Sequence, residues 1–483
     1  MSAEETIAAL RAENARLRAD LAVAQETITA LSAQVAALLE RVKELEGQQA
    51  TDSHNSSKPP ASDGPRRVPR SLRGTSGKKP GGQPEHRGRH LRLVDRPDHL
   101  VVQRPTVCHA CAAALGGAPV EDVERRQVIE VPPLRPLVTE YQGVRLRCPQ
   151  CHALATGSFP AGVTAPVQYG PRLRASAVYL THQQLLPYGR TRAVLRDLLG
   201  CAVSAGTLAA LAQEASARLA PVEEQIAAAL RAGPLLHNDE TSLSVQGHRW
   251  WLHTASTARL THYAIHPQRG TAATDAIGIL PGFGGTSVHD GWAPYRQYAC
   301  RHALCNAHHL RELAWVEEQD GQAWAAALAR LLRAIKAAVD AARERGKSAL
   351  PAPMCAVFRT RYTHLLADGL AANPPPLGAA PPRRGRRKQS KAKNLLDRLA
   401  RTDEVLAFME DFTIPFDNNQ AEQDVRMVKV QQKVSGTFRS EAGARAFARV
   451  RGYLSTMRKQ GMPALAALES VFRGHSLVPC LQP

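Results

Sequence analysis

The stretch Pro415-Phe-Asp-Asn-Asn-Gln-Ala-Glu-Gln-Asp-Val-Arg426, continuing through Lys433 to Ser435-Gly-Thr-Phe-Arg439, decides the reading of this chain. An Asn pair stands where a helix should begin. Glu422 follows one turn inside, and Arg426, Lys429 and Lys433 recur behind it at helical spacing. Such a helix presents one carboxylate with cations stacked along the same face. The carboxylate suits a divalent cation, and the cations suit phosphates. Asn419-x-x-Glu422 also fits a capping box, in which Glu422 only reaches back to its own helix start. Two upstream aspartates in matching contexts, Asp239 and Asp290, decide against that plainer reading.

Working outward, the chain has 483 residues, enough for about two to four units and a sizeable core. Its net charge of +19 favours a polyanionic partner, of which nucleic acid is the usual one. No run reads as long or apolar enough to span a bilayer, and the first residues lack the pattern of a secretory signal. The expectation is a cytoplasmic protein, nucleoid-associated when bound to DNA, with no membrane partner. Four of the nine cysteines fall as two C-x-x-C pairs, which in a reducing compartment points to metal rather than disulfides.

Residues 1–46 read as a coiled coil: an unbroken 3-4 repeat over residues 7–45 has Ile7, Asn14, Leu21, Ile28, Val35 and Val42 at a and Leu10, Leu17, Ala24, Leu31, Leu38 and Leu45 at d. Mostly β-branched a positions with Leu at d favour a parallel dimeric coiled coil, and Asn14 would fix its register. The alternative is a single amphipathic helix packed on its own domain. Residues 47–95 read as a basic flexible linker, since Lys58 to Arg92 holds ten Lys/Arg against two acids. It is either an arm along a phosphate backbone or a solubilising tether.

Residues 96–160 read as a zinc-ribbon-like unit. Cys108-His-Ala-Cys111 and Cys148-Pro-Gln-Cys151 are two knuckles of a four-cysteine zinc site, with strands expected over residues 126–131 and 139–147 between them. Residues 161–232 are helical, and Gly200 with the cap Ser204 outlines a helix-turn-helix, or else a plain αα-hairpin.

From residue 233 the texture changes to strands. Asp239 lies in the first, and two more follow in meander order. A helix from Thr271, a strand ending at His289-Asp290-Gly, a strand over residues 297–304 and a helix from Cys305 complete the pattern. The order βββαβαβα is that of a ribonuclease-H-like fold, first part 233–310 and second part 413–483, with a helical insertion at 311–412. The insertion carries a basic loop from Arg383 to Lys393, either a DNA contact or a solvated face. The fold class is therefore multidomain α+β. Asp239, Asp290 and Glu422, on three separate elements, can hold two divalent ions, Mg²⁺ or Mn²⁺, that clamp a phosphodiester. Glu240 and Asp424 are the nearest rivals, but each points away from the proposed face. Cys305 and His308 read as structural, lacking further ligands unless Cys300 or His302 joins.

These pieces together resemble transposases of the insertion-sequence 66 family, of the bacterial DDE class. The likeness is carried by Asn55-Ser-Ser-Lys-Pro-Pro60, Lys79-Pro-Gly-Gly-Gln-Pro84, the paired C-x-x-C, Asp239-Glu-Thr241 and Tyr263. It continues in Arg269-Gly270, His289-Asp-Gly291, Cys305-x-x-His308, Asn418-Asn-Gln-Ala-Glu422 and Lys433-Val-Ser-Gly-Thr-Phe-Arg439. The resemblance implies that Asp239, Asp290 and Glu422 are the metal-binding triad. It also implies that the protein nicks element ends and joins the freed 3′-hydroxyl to target DNA. DNA contacts are expected from Arg269, Arg426, Lys429, Lys433 and Arg439. Accessory proteins of the same element are possible partners, as is a homodimer or higher oligomer through the coiled coil. A non-catalytic DNA-binding regulator derived from such an enzyme is the alternative. The chain departs from the family in having Gln423 where Arg is common, and Asn306-Ala-His-His-Leu310 where a Trp-Ala-His-Arg-Arg-like run is common.

Overall fold

Residues 3–52, 54–56, 91–374 and 389–482 are described by a computed structural model. Most of the basic linker, and Arg383 to Lys388 of the basic loop, lie outside the described residues. The chain divides into two units, one of residues 1–72, 163–191 and 204–483, the other of residues 73–162 and 192–203.

In the first unit, α1 (Ala3–Gln49) is one continuous helix. Its apolar seam is open in the single chain: Leu10, Leu17, Leu31 and Leu38 are each more than half exposed. Contrary to the sequence expectation, residues within Thr6–Leu39 do reach the length of a bilayer span. Their mean hydropathy is only 1.2, and Gln25, Glu26, Ser32 and Gln34 interleave the apolar residues, which is the pattern of an amphipathic seam. Just beyond, Asn55 is buried and its Nδ2 donates to Ala50 O at 3.0 Å and Glu318 Oε2 at 3.2 Å. The start of the Asn55-to-Pro60 motif is thus a latch onto the helix that bears Glu318.

α2 (Pro171–Val178) runs into a π-helical turn, and α3 (Tyr188–Leu199) ends on Gly200, whose φ of +64° is a left-handed C-terminal cap. α4 (Ala205–Ala232) begins at Ser204, whose Oγ accepts from Thr207 N at 3.0 Å. It spends Leu208, Leu211, Leu219 and Ile226 on the core, as a packing helix does.

The central sheet holds β1 (Leu235–Val245), β2 (His248–Ser256), β3 (Thr261–His266), β4 (Thr286–His289) and β5 (Arg301–Leu304). Its order is β3-β2-β1-β4-β5, with the first three antiparallel and β1, β4 and β5 parallel. Gln246 and Gly247, both at positive φ, make the two-residue turn between β1 and β2. α5 (Thr271–Ile277) is part of the crossover to β4. The fifth strand is shorter than the sequence suggests: Pro294 starts a 3₁₀ turn over Ala293–Gln297, and pairing begins only at Arg301.

α6 (Asn306–Asp320), α7 (Ala323–Glu344), α8 (Ala352–Ala372), α9 (Lys391–Leu399) and α10 (Thr402–Glu410) follow. Leu313, Leu328, Leu332, Tyr362, Leu396 and Leu406 give these helices a core that runs on into Val288 and Leu304 of the sheet. α11 (Asn419–Ser435) and α12 (Glu441–Lys459) then cover Leu243, Val245, Leu252, Tyr263 and Ile265 with Val425, Val428 and Phe447, and α13 (Ala464–Phe472) ends the described helices. After α11, Phe438 pairs alongside the end of β1: its N–H donates to Ser244 O at 2.9 Å and its carbonyl accepts from Gln246 N at 2.7 Å.

In the second unit the two knuckles have the same backbone. Ala112 N donates to Cys108 O and His152 N to Cys148 O, and both Ala112 and His152 take positive φ. Residues 126–131, expected as a strand, form no ladder. The only ladder among the described residues of this unit pairs Arg145–Arg147 with Leu154–Thr156 across the second knuckle. The two sulfur pairs are not gathered into one tight group among the described residues.

Candidate active site

β1 delivers Asp239. Its parallel register with β4 runs as far as His237 opposite Val288, two residues before each aspartate. Asp290 follows the last residue of β4, where its Oδ1 accepts Trp292 N at 2.8 Å and Gly291 takes φ +88°. Glu422 arrives from the first turn of α11.

The capping-box alternative is not what forms. Asn418, not Asn419, precedes the helix, and its side chain makes no cap bond. It is buried against the sheet: Nδ2 donates to Asn238 O at 2.8 Å, and Oδ1 meets His237 Nδ1 at 2.8 Å. The start of α11 is thereby pinned beside Asp239. Asp417 Oδ1 takes Asn419 N instead. This anchoring role is legible in the sequence only as an Asn doublet at a helix start.

The acids bear on one another. Burial raises the Asp239 carboxyl well above the usual carboxylate range, and the charges of Glu240, Asp290 and Glu422 push it further. Burial raises Glu422 as well, against the opposing pull of Arg311, whose Nη2 lies 3.7 Å from Glu422 Oε1. All three acids remain partly exposed. A donor set of carboxylate oxygens whose own charges repel fits a hard divalent cation. The three do not, however, bring one oxygen each to within 4.8 Å of the other two.

The rivals are spoken for. Glu240 pairs with Arg269 at 2.6 Å and takes the Tyr295 hydroxyl; Asp424 pairs with Lys459 at 2.8 Å in the interior. Cys305 and His308 do not recruit Cys300 or His302. His302 Nδ1 meets His289 Nε2 at 3.0 Å instead. The third member of their group is Glu422.

A family model described as "Transposase IS66 family" matches residues 166–446, more than half of the chain. The chain belongs to the IS66 transposase family. A second model, of a family of unknown function, matches residues 2–92. Among curated relatives, the uncharacterized protein y4hP of Sinorhizobium fredii is 26% identical over 422 residues, covering 77% of this chain and 71% of the relative. As an IS66-family transposase the protein carries a transposase-related function and DNA binding as its general role.

Within this IS66-family protein, the expected DNA-contacting cations are placed unequally. Arg426, Lys433 and Arg439 are exposed. Lys429 is half-buried and turned onto β1, donating to Ser242 O at 2.7 Å. Burial lowers its pKa, and the charge of Asp239 opposes that shift. Arg269 is held by Glu240 and lies between the rings of Trp251 and Trp292, 4.8 and 4.2 Å from their centroids. Sequence reasoning missed Arg311, which lies one helical turn past His308 and close to Glu422.

Proposed function

We propose that this IS66-family protein cleaves DNA at the ends of its insertion sequence and transfers the strands, with Asp239, Asp290 and Glu422 as the metal-binding catalytic residues. The observation that supports this most is that Asp290 and Glu422, each on a different element from Asp239, both act electrostatically on its carboxyl. The sheet order supports a ribonuclease-H-like core, in which the central strand and its parallel neighbour supply the first two acids. Mg²⁺ or Mn²⁺ bound there would polarise the phosphodiester and activate the attacking oxygen.

The chain's own residues do the rest. The carboxylates of Asp239, Asp290 and Glu422 would hold the ion, and Asn418 holds the Glu422 helix to β1. Lys429 balances charge beside Asp239, and Arg426, Lys433 and Arg439 extend a cationic track for the DNA backbone. The matched knuckles of Cys108, Cys111, Cys148 and Cys151 support a structural zinc in the second unit. The open seam of α1 supports parallel coiled-coil dimerisation.

Strand transfer of a labelled element end in Mg²⁺ tests the reading. Joined product that disappears in Asp239→Asn supports it. DNA binding without any cleavage by the wild type would instead establish a non-catalytic regulator.

A further inference from the structure

Cys305 is the N-cap residue of α6, and His308 follows three positions on, so both face the same way at the helix start. Glu422 enters from α11. The Cys305 sulfur, a His308 ring nitrogen and a Glu422 carboxylate oxygen all lie within 4.8 Å of one another. A tetrahedral ion with bonds of about 2.0–2.3 Å sets its ligands about 3.3–3.8 Å apart, so the three side chains would close in by up to about 1.5 Å.

Two of the three ligand atoms make no hydrogen bond. His308 Nδ1 and Glu422 Oε1 are inaccessible, have no hydrogen-bond partner, and face each other at 3.6 Å. Buried polar atoms are rarely left this way without a reason. The third ligand is already supported: the Asn418 N–H points at the Cys305 sulfur from 3.1 Å, the kind of outer contact that steadies a metal-bound thiolate. Asn418 is itself fixed to β1, so the sulfur's donor does not wander.

We propose that Cys305, His308 and Glu422 form a site for a thiophilic divalent cation of the zinc class. The ligand set differs from the all-carboxylate pocket, with which it shares only Glu422. On binding, the Cys305 thiol gives its proton to solvent, His308 binds through a neutral ring nitrogen, and the ion takes one bond from each residue. Thiolate and carboxylate together offset the ion's two charges, so Arg311, 3.7 Å from Glu422 Oε1, faces a neutral centre rather than a cation. Three protein ligands leave the fourth position open to water or a substrate oxygen. An ion seated here also occupies Glu422, so zinc-class ions compete with Mg²⁺ for that carboxylate. The inference needs only these three side chains and stands apart from whether the triad catalyses strand transfer.

Co²⁺ is the probe, titrated into the full-length protein. The readouts are bound equivalents and the thiolate-to-cobalt charge-transfer absorption. Cys305→Ser retains an oxygen for the Asn418 N–H and is a favoured N-cap, so it should fold; His308→Gln is the second variant if it does not. Each variant is expected to lose one bound equivalent relative to wild type, and Cys305→Ser also part of the charge-transfer band. Cobalt held elsewhere, including by the paired knuckles, should be unchanged. A folded variant that binds as many equivalents as wild type, with an unchanged band, overturns the site. A wild type that shows no strand transfer but keeps the Cys305-dependent equivalent overturns the catalytic reading and leaves this one standing.

Discussion

The Asn418 side chain donates its Nδ2 hydrogen to the backbone carbonyl of Asn238 at 2.8 Å. The residue preceding the Glu422 helix is thus bonded to the residue preceding Asp239. Asn418→Ala leaves that buried carbonyl and the His237 ring without their partner, at a cost of about 1–3 kcal/mol. A lower Tm and reduced strand transfer are expected, with end-binding affinity preserved. Unchanged turnover in this variant would show that the anchor does not set the position of Glu422.

Asp239→Asn, Asp290→Asn and Glu422→Gln should each reduce strand transfer by at least about a thousandfold, while gel-shift affinity for the element end survives. Asp239→Asn carries a second expectation. A carboxyl raised by burial and like charge is protonated more readily folded than unfolded, so it weakens the metal-free fold as pH rises above the usual carboxylate range. The variant should therefore have the higher Tm without metal at neutral pH, and lose that advantage near pH 4. An active Glu422→Gln protein would remove that residue from the chemistry.

Gly285 sits where β4 enters between its neighbours, its carbonyl accepting Arg301 N at 3.0 Å. A Cβ there would meet Pro234 O at 2.5 Å, backbone that cannot step aside. Gly285→Ala should cost about 1–3 kcal/mol by overpacking and displace the strand that ends at Asp290. Thermal denaturation beside a strand-transfer assay checks both; a wild-type Tm would mean the strands can separate more easily than this packing implies.

His182 and His253 are held down to about 4, and His289 and His309 to about 3, by burial first in each case. Each is neutral in the fold and takes up a proton on unfolding, so stability is full above about pH 6.5 and drains away as pH falls through that range. Tm measured from pH 7.5 to pH 4.5 should drop steeply below about 6.5. A flat profile would mean these rings already carry protons in the folded state.

Leu17→Glu with Leu31→Glu places charge in the open seam of α1, where both leucines are more than half exposed in the single chain. Light scattering should show the assembly fall to a monomer, with the near-ultraviolet dichroism of the core unchanged. A double variant that keeps the wild-type mass would place the oligomer contact elsewhere.

Much of the sheet could be read directly from residue order. The alternation through Leu243, Val245 and Leu252 marks strands, Gly247 marks their turn, and His289-Asp-Gly marks a strand end. The hairpin expected between the two knuckles is less legible. Residues 126–131 have strand-like residue types, but pairing depends on a partner strand, and the ladder formed across the second knuckle instead. Similarly, Asn418-Asn419 looked like a cap because capping is the local use of Asn; the buried bond to Asn238 depends on a strand some 180 residues away.

The sequence by itself determined the kinds of groups available: three carboxylates on separate elements, cations at helical spacing behind Glu422, two pairs of thiols and an unbroken heptad repeat. These are local patterns, and periodicity and turn chemistry write them plainly. Only the tertiary structure decided which groups meet. The register of β1 with β4 runs up to two residues before Asp239 and Asp290, and hydrogen bonds from the start of α6 to the segment entering α11 give Cys305 and His308 Glu422 as their third neighbour. Contacts between residues far apart in the chain follow from how elements bury their apolar faces together, and no short stretch carries that information.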